Sequence, residues 1–376
     1  TVMAEEMYVG FSSATGVVFT HHYVLGWSFS FDGGAAPSLD FSMLPKVPRV
    51  GPTRRSVMLY VVLPIASALL FLVAFVLGVF FVRRWHRQYA EVREDWEVEF
   101  GPHRFTYKDL FHATQGFTDK NLLGAGGFGS VYKGVLPVSN TEIAVKQVSH
   151  NSRQGMREFI AEVVSIGRIR HRNIVRLLGY CRRKGELLLV YDYKTNGSLD
   201  KCLHDNATST TLCWPKRIHI IKGVASALSY LHKDWEQVVI HRDVKASNVL
   251  LDSEMNGLLG DFGLSRLRDH GADVKTTYVV GTMGYIAPEL MHTGKATPLT
   301  DVFAFGVFLL EVTCGRRPIG ESDSNEILLI DWVLKHFLSG SILNVVDPRL
   351  AGRFSFEEVN LVLKLGLMCS HPLPKA

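Results

Sequence analysis

Cysteine is scarce in this chain, and its few cysteines do not form a metal-binding pattern. The sequence has five cysteines in 376 residues, with no C-x-x-C pair and no His/Cys ligand spacing. Structural zinc sites use such closely spaced ligands, so a zinc-binding module is disfavoured. All five cysteines follow the long apolar run described below, which favours reduced, buried thiols in the cytosol over a disulfide framework.

A large excess of charge is also lacking. The formal net charge of +5 is small for this length and does not by itself indicate nucleic-acid binding. With 47 % hydrophobic and 20 % charged residues, the composition is that of a folded protein long enough for two or three domains. No signal-peptide pattern follows Thr1, so we expect that the start is missing or that a signal peptide has been removed.

Residues 1–44 are rich in aromatic and β-branched side chains. Residues 8–11, 16–19 and 24–31 alternate or run as short strands broken by Gly, Ser and Asp. Two or three strands cannot form a stable β-structure without a partner sheet. We therefore interpret this segment as the end of a larger β-domain.

Residues 57–82 form a run of 26 residues without a charge. As a helix this run would extend about 39 Å, enough to cross a hydrocarbon layer of about 30 Å. A buried core helix is the alternative, but such helices rarely reach this length without a polar face. Residues 45–56, which contain three prolines and four basic residues, predict an extended linker before the span. Residues 83–116 predict a charged juxtamembrane segment, with a short amphipathic helix within 105–114.

Glycines recur at residues 123–131, where Gly124, Gly126 and Gly129 form a G-x-G-x-x-G-x-V pattern. Without a Cβ, glycine lets backbone N–H groups approach a phosphate closely. A Rossmann site would need a helix that opens at the glycines, but residues 131–136 have a strand pattern instead. We therefore predict a strand–turn–strand hairpin over a nucleotide.

Residues 142–148 predict a strand on which Ala144 and Lys146 share one face. A small residue beside a lysine would leave room for adenine while the ammonium group reaches the phosphates. The alternative, which the strand alone leaves open, is a lysine exposed on an edge strand.

Residues 156–169 have helical periodicity, and Glu162 lies at the margin of the apolar stripe. A carboxylate near an inner face usually has a cation partner, and Lys146 is the expected one. Glu158 lies farther towards solvent and is the weaker choice.

Residues 241–248, with the sequence H-R-D-V-K-A-S-N, lie between two short apolar runs, which predicts a tight loop between buried strands. Phosphoryl transfer to a hydroxyl needs a carboxylate to accept the proton, a cation near the moving phosphate and an oxygen ligand for magnesium. Asp243, Lys245 and Asn248 supply these groups. A polar surface loop with ordinary turn chemistry is the alternative.

Three further features follow the loop in sequence. Asp261 lies in a D-F-G turn and is a suitable magnesium ligand. Residues 287–289 read A-P-E, and residues 301–312 predict an apolar helix too short to span a membrane and therefore buried.

The motifs G-x-G-x-x-G-x-V, A-V-K, H-R-D-x-x-x-x-N, D-F-G and A-P-E, in this order, resemble the signature of eukaryotic protein kinases. The resemblance covers residues 117–376 and is closest to plant receptor-like kinases. V-G-F-S-S-A-T-G and H-H-Y-V-L-G-W-S-F-S-F, within residues 9–31, resemble the closing strands of a legume-lectin β-sandwich. The whole chain is therefore similar to L-type lectin receptor kinases. This implies an α+β two-lobed kinase fold, preceded by one transmembrane helix and a β-sandwich fragment.

The resemblance also implies roles for individual residues. Asp243 would be the catalytic base, Lys245 would contact the transferred phosphate, and Asn248 and Asp261 would hold Mg²⁺. Lys146, paired with Glu162, would contact the α- and β-phosphates. ATP would be bound by Leu123, Gly124, Ala125, Gly126, Gly127, Phe128, Gly129, Ser130, Val131, Ala144, Lys146, Tyr191 as gatekeeper, Asp192 and Tyr193.

The function implied is a membrane-anchored receptor-like kinase that transfers the γ-phosphate of ATP to Ser or Thr hydroxyls of proteins, itself included. Lys245 and Thr282 resemble the pattern of Ser/Thr rather than Tyr specificity. The N-terminus would face the outside of the plasma membrane and the kinase domain the cytosol, with carbohydrate a possible ligand of the lectin part. A kinase-like scaffold without activity and a carbohydrate-recognition receptor are the alternatives.

The resemblance also implies how the kinase would be regulated and which parts of the larger lobe the sequence does not contain. Arg242 would pair with a phosphate on Thr276 or Thr277 and order the segment between the D-F-G and A-P-E motifs, called the activation segment below. Lys194 stands where related kinases have an apolar hinge residue. An arginine that pairs with Glu289 in the family, and one further helix, would lie beyond residue 376, so we expect an incomplete and less stable lobe.

Overall fold

The computed structural model describes residues 10–14, 21–30, 33–47, 58–88, 103–126, 129–148, 153–183, 186–205, 211–269, 279–320 and 327–373. The chain divides into two compact units, residues 1–83 and 84–376, which are considered separately below.

The N-terminal segment forms no strand in its described residues 10–14, 21–30 and 33–47. The strand expected over residues 24–31 is therefore not formed in its described part, because these residues have no partner strand for their backbone hydrogen bonds. Residues 16–19 lie outside the described residues. A 3₁₀ turn at Phe41–Met43 is capped by Asp40, whose carboxylate accepts the Ser42 N–H at 2.9 Å.

The long apolar run forms a helix. A π-helical turn at Met58–Val62 leads into α1 (Leu63–Gln88). Residues Leu59–Arg84 form a helix long and apolar enough, by length and composition, to cross a membrane. Its apolar side chains are exposed, with Phe71 at 73 %, whereas a core helix would bury them.

The smaller lobe of the second unit is a six-stranded sheet with two helices. In the sheet the strand order is β1-β5-β6-β4-β3-β2, and only the β1–β5 pair is parallel. The strands are β1 (His103–Arg104), β2 (Leu122–Gly126), β3 (Gly129–Val135), β4 (Glu142–Val148), β5 (Leu177–Arg183) and β6 (Glu186–Asp192), with helices α2 (Tyr107–Ala113) and α3 (Arg153–Ile166).

Residues before the expected start of the domain also pack on the smaller lobe. We expected residues 83–116 to be a solvated segment, with the domain starting at 117. Within this segment, however, β1 adds a strand to the sheet, and Tyr107, Leu110 and Ala113 of α2 are buried in a core against it, so the expectation of a solvated segment is wrong for these residues. The apolar side of α2, which was predicted to be amphipathic, is therefore covered by the smaller lobe.

The larger lobe is mostly helical and surrounds one helix. Its elements are α4 (Leu199–His204), α5 (Trp214–Ser229), a π turn (Tyr230–Asp234), β7 (Val238–Ile240), β8 (Val249–Leu251), β9 (Gly257–Leu259), β10 (Arg266–Arg268), α6 (Pro288–Thr293), α7 (Pro298–Cys314), β11 (Ile319–Gly320), β12 (Ile327–Leu328), α8 (Leu329–Leu338) and α9 (Phe356–Cys369). Helix α7 starts at a capping box between Thr297 and Thr300 and is buried through most of its length, as predicted. Its apolar side chains form the centre of the main core.

The five cysteines are free thiols. Cys181 and Cys314 are buried, and Cys202 and Cys369 are partly buried. Cys213 is exposed, so the expected burial is wrong at this position. It lies at the N-cap of α5, next to a surface turn rather than on a core face.

A buried ion pair joins helix α5 to the loop between α8 and α9, close to the end of α7. The Arg217 guanidinium, 1 % exposed, donates to Asp347 Oδ2 at 2.6 Å and to Val312 O at 2.8 Å. Burial alone would raise the pKa of Asp347, but hydrogen bonds from Arg349 and Arg217 outweigh this effect and lower the pKa.

We predict that Asp347→Ala destabilises the fold by about 3–5 kcal/mol, because it leaves a guanidinium group buried without its partner. Because the pKa of Asp347 is lowered by folding, this contribution is fully present above about pH 4 and is lost as the pH falls further. Thermal unfolding at pH 7, compared with the exposed Asp331→Ala control, measures the difference. Equal melting of the two variants would contradict the prediction.

Candidate active site

The loop of residues 241–248 joins β7 to β8, as its flanking apolar runs predicted. Asp243, only 3 % exposed, accepts from the three nearest donors. Lys245 Nζ lies 2.7 Å and Asn248 Nδ2 2.9 Å from Asp243 Oδ2, and Thr282 Oγ1 donates to Oδ1 at 2.7 Å. Lys245 also donates to Thr282 at 2.7 Å, which ties the loop to the activation segment. The carboxylate is thus fixed in position and orientation.

Asp301 supports this loop through hydrogen bonds to its backbone. It is the main residue of the site that was not predicted from the sequence. It is fully buried on α7, and its two oxygens accept the backbone N–H groups of His241 and Arg242, each at 2.8 Å. His232 Nε2 lies 2.8 Å from the same carboxylate. A buried carboxylate needs such partners, so an acid at the start of an apolar helix was the available signal.

Arg242 adopts a left-handed backbone conformation, with φ = 71°. This conformation is costly for a non-glycine residue, so the two N–H bonds to Asp301 offset local strain next to Asp243. The guanidinium donates to Leu264 O at 3.3 Å, and burial together with the nearby Arg266 lowers its pKa to about 10. Thr276 and Thr277, the expected phosphate carriers, lie outside the described residues.

The predicted pair of Lys146 and Glu162 is present. Lys146 Nζ lies 3.1 Å from Glu162 Oε2 and 2.6 Å from Asp261 Oδ1. Burial would lower the pKa of Lys146, but the two carboxylates outweigh it and raise the pKa, so the ammonium group stays charged. Glu158, expected towards solvent, is 8 % exposed, because helix α3 packs that side against the lobe and Gln154 Nε2 donates to it at 2.9 Å.

Glu162 also receives a hydrogen bond from Tyr191, the expected gatekeeper. The Tyr191 hydroxyl donates to Glu162 Oε1, and the backbone N–H of Phe262 donates to the same oxygen at 3.3 Å. Burial, followed by the charge of Glu162, raises the pKa of Tyr191 well above its ordinary value. The phenol therefore remains a donor, and one carboxylate joins strand β6, helix α3 and the D-F-G turn.

The glycine pattern forms the predicted antiparallel hairpin of β2 and β3. Its described residues are Leu123, Gly124, Ala125, Gly126, Gly129, Ser130 and Val131; Gly127 and Phe128 lie outside the described residues. Ala144 and Lys146 share the face of β4 opposite the buried Ile143 and Val145, as the period of two predicted. On this face Lys146 contacts Asp261 of the larger lobe, and we call the space between the hairpin and the larger lobe the cleft.

The hinge, which is the segment that joins the two lobes, follows β6. Ala144 pairs with Tyr191 across the sheet, and the Tyr193 N–H donates to Glu142 O at 3.4 Å. Asp192 forms an ion pair with Lys194 at 2.7 Å. Lys194, the unusual residue of the hinge, is therefore held against the end of β6.

Asn248 and Asp261 come from adjoining backbone, because the N–H of Gly260 donates to Asn248 O at 2.8 Å. An amide oxygen and a carboxylate are ligands that suit Mg²⁺, which in phosphate-binding sites uses one or two carboxylates together with substrate phosphates and water. These two residues therefore fit a magnesium ion bound with a nucleotide.

Glu289 lies in the A-P-E motif and is half-buried. Its Oε2 is buried and has no hydrogen-bond partner among the described residues.

Comparisons with known proteins agree with this architecture. The sequence profile of the protein kinase domain matches residues 117–340, and that of the legume lectin domain matches residues 1–46. Because the kinase match covers more than half of the chain, the protein belongs to the protein kinase family, among the L-type lectin-domain containing receptor kinases.

Relatives from two plants support this placement. The chain is 65 % identical to the L-type lectin-domain containing receptor kinase SIT2 of Oryza sativa subsp. japonica, with 100 % of this chain and 56 % of the relative covered. It is 60 % identical to the L-type lectin-domain containing receptor kinase IV.1 of Arabidopsis thaliana, with the same two coverages. The chain thus spans about half the length of these relatives.

We predict that Tyr191→Phe lowers the free energy of unfolding by about 1.5–3 kcal/mol, the usual contribution of a hydrogen bond to a charged acceptor. Thermal unfolding is the measurement, and Tyr193→Phe is the matched control, since it keeps the ring that lies 4.3 Å from Lys133 Nζ. Equal losses in the two variants would show that the Tyr191 hydroxyl contributes nothing to the network.

Proposed function

We propose that the protein is a receptor-like serine/threonine kinase that transfers the γ-phosphate of ATP to protein hydroxyls. The observation that carries the proposal is the geometry at Asp243. Thr282 donates its hydroxyl to Asp243 Oδ1 at 2.7 Å, within the range that a general base needs towards a substrate hydroxyl. A substrate Ser or Thr hydroxyl would occupy an equivalent position.

Each remaining group has a role in this proposal. Asp243 accepts the proton of the attacking hydroxyl, and Lys245, 2.7 Å away, offsets charge on the moving phosphate. Lys146 binds the α- and β-phosphates and is held in place by Glu162. Asn248 and Asp261 hold Mg²⁺, which when bound neutralises phosphate charge. The hairpin glycines present backbone N–H groups to the phosphates, and Ala144 leaves room for adenine.

We also propose a location and partners. The apolar helix would anchor the protein in the plasma membrane as a single span, with the kinase domain in the cytosol, where ATP is available. The lectin-like segment would belong to an extracellular domain for which carbohydrate is a candidate ligand. Names of the relatives, a kinase domain and the span support this arrangement. Protein substrates, the chain itself included, would meet the larger lobe.

We predict that Asp243→Asn lowers the rate of phosphate transfer by about 10²–10⁴, the usual contribution of general base catalysis. Autophosphorylation with Mg²⁺ and ATP is the assay. Glu254→Gln, which changes an exposed carboxylate on the nearby turn after β8, is the control and should leave the rate unchanged. Equal rates for Asp243→Asn and the unchanged chain would refute the assignment of a kinase activity to this site.

We further predict that the active protein carries phosphate on Thr276 or Thr277, because a phosphate there would pair with the guanidinium group of Arg242, next to Asp243, and order the segment. Mass spectrometry of protein incubated with Mg²⁺ and ATP tests this. Active protein with neither threonine modified would contradict the hypothesis.

A further inference from the structure

Residues 103–117 lie across one face of the sheet in the smaller lobe; we call this segment the strap. It comprises β1, Phe105, helix α2 and the turn that ends at Phe117. Because side chains alternate along a strand, Ile143 and Val145 of β4 face the strap, whereas Ala144 and Lys146 face the nucleotide cleft. The strap therefore lies on the opposite side of the sheet from the proposed reaction.

The strap is closely fitted to the sheet at two glycines. A Cβ on Gly179 of β5 would lie 1.9 Å from His103 O and 2.7 Å from the Phe105 ring. A Cβ on Gly134 of β3 would lie 3.2 Å from the carbonyl of Ala113. Any larger residue at Gly179 would displace the strap, so its position on the sheet is specific.

The far end of the strap contacts the glycine-rich hairpin. The Phe117 ring packs edge-on against Tyr132 of β3, with ring centroids 5.4 Å apart. Tyr132 pairs with Leu122 of β2 across the hairpin. In addition, Asn121 Nδ2, next to β2, donates to Thr114 O at 2.9 Å. Aromatic and hydrogen-bond contacts thus join the strap to both strands that carry the glycines.

The β2 side of the hairpin has little other support, whereas β3 pairs with β4 along its whole length. Strand β2 is the edge of the sheet, and all five of its residues are exposed. Among described strands its one partner is β3, so the height of the glycines above the cleft depends on how β3 is held. Phe117 contacts Tyr132 of β3, and Thr114 accepts a hydrogen bond from Asn121 just before β2, so the strap holds the hairpin at both strands.

We propose that the strap is a positioning element for the nucleotide, in which Phe117 acts through Tyr132 to hold the glycine hairpin where its N–H groups reach the triphosphate of ATP. The inference rests on the proposed kinase function. A purely structural strap would change the stability of the lobe without changing nucleotide affinity.

The test uses the full chain with Phe117→Ala and the matched control Phe111→Ala. Phe111 lies on the same helix and packs with Tyr107 and Phe117, but it is 41 % exposed and its described ring contacts include no residue of the hairpin. Three quantities are measured for each variant: the Kd of a fluorescent ATP analogue with Mg²⁺, the KM for ATP, and kcat.

We expect Phe117→Ala to raise both Kd and KM for ATP by about tenfold, which corresponds to about 1.4 kcal/mol. We expect kcat to stay nearly unchanged, because Asp243 and its partners lie in the other lobe. Phe111→Ala should keep the original Kd and KM, and Phe117→Tyr, which retains the ring, should keep them as well.

The proposal is overturned if Phe117→Ala lowers the melting temperature but leaves Kd and KM at their original values, or if both alanine variants change them equally. Should Phe117→Ala fail to fold, Phe117→Leu, which keeps apolar volume but loses the ring, carries the same comparison. The Kd requires no phosphate transfer. An unchanged chain that binds the nucleotide but transfers no phosphate would therefore contradict the proposed function, while the Kd values still decide the role of the strap.

Discussion

The buried carboxylate of Asp301 is the interaction on which the candidate site depends. It accepts two successive backbone N–H groups, of His241 and Arg242, from the middle of the main core. These bonds stabilise the left-handed conformation of Arg242 and so direct the next residue, Asp243, towards the cleft. Lys245, Asn248 and Thr282 then fix the Asp243 carboxylate itself. Without the bonds to Asp301, the loop would keep other hydrogen bonds, such as that from Gly260 N–H to Asn248 O, but the left-handed turn at Arg242 would lose its two supports.

Helix α7 extends this support to other parts of the larger lobe. Its Glu311, 2 % exposed, accepts a hydrogen bond from Tyr285 of the activation segment and lies 3.0 Å from His204 of α4. Helix α9 crosses it closely at Gly306, where a Cβ would lie 2.6 Å from Ser370 N. The helix that carries Asp301 is thus held rigidly on several sides, and this rigidity is what allows one carboxylate to position a loop.

Local patterns were enough to predict part of this arrangement. The strands beside the loop and the shared face of Ala144 and Lys146 follow from periodicities within a few residues. Helical periodicity placed Glu162 near an inner face, and the need of such a carboxylate for a cation then indicated Lys146. Asp301 and the strap were missed because their partners are distant in sequence: Asp301 binds a loop 60 residues away, and the strap fits glycines of β3 and β5. The strand expected near residues 24–31 is absent from its described residues because alternation alone supplies no hydrogen-bond partner.

The central claim is that Asp301 positions the loop that carries Asp243, and the most direct measurement is the rate of phosphate transfer by Asp301→Ala in the full chain. A displacement of about 1 Å at a catalytic group costs about 10² in rate. The account predicts a loss of at least this size while the Kd for an ATP analogue, which depends on the other lobe, is retained. Phosphate transfer at the original rate would contradict it.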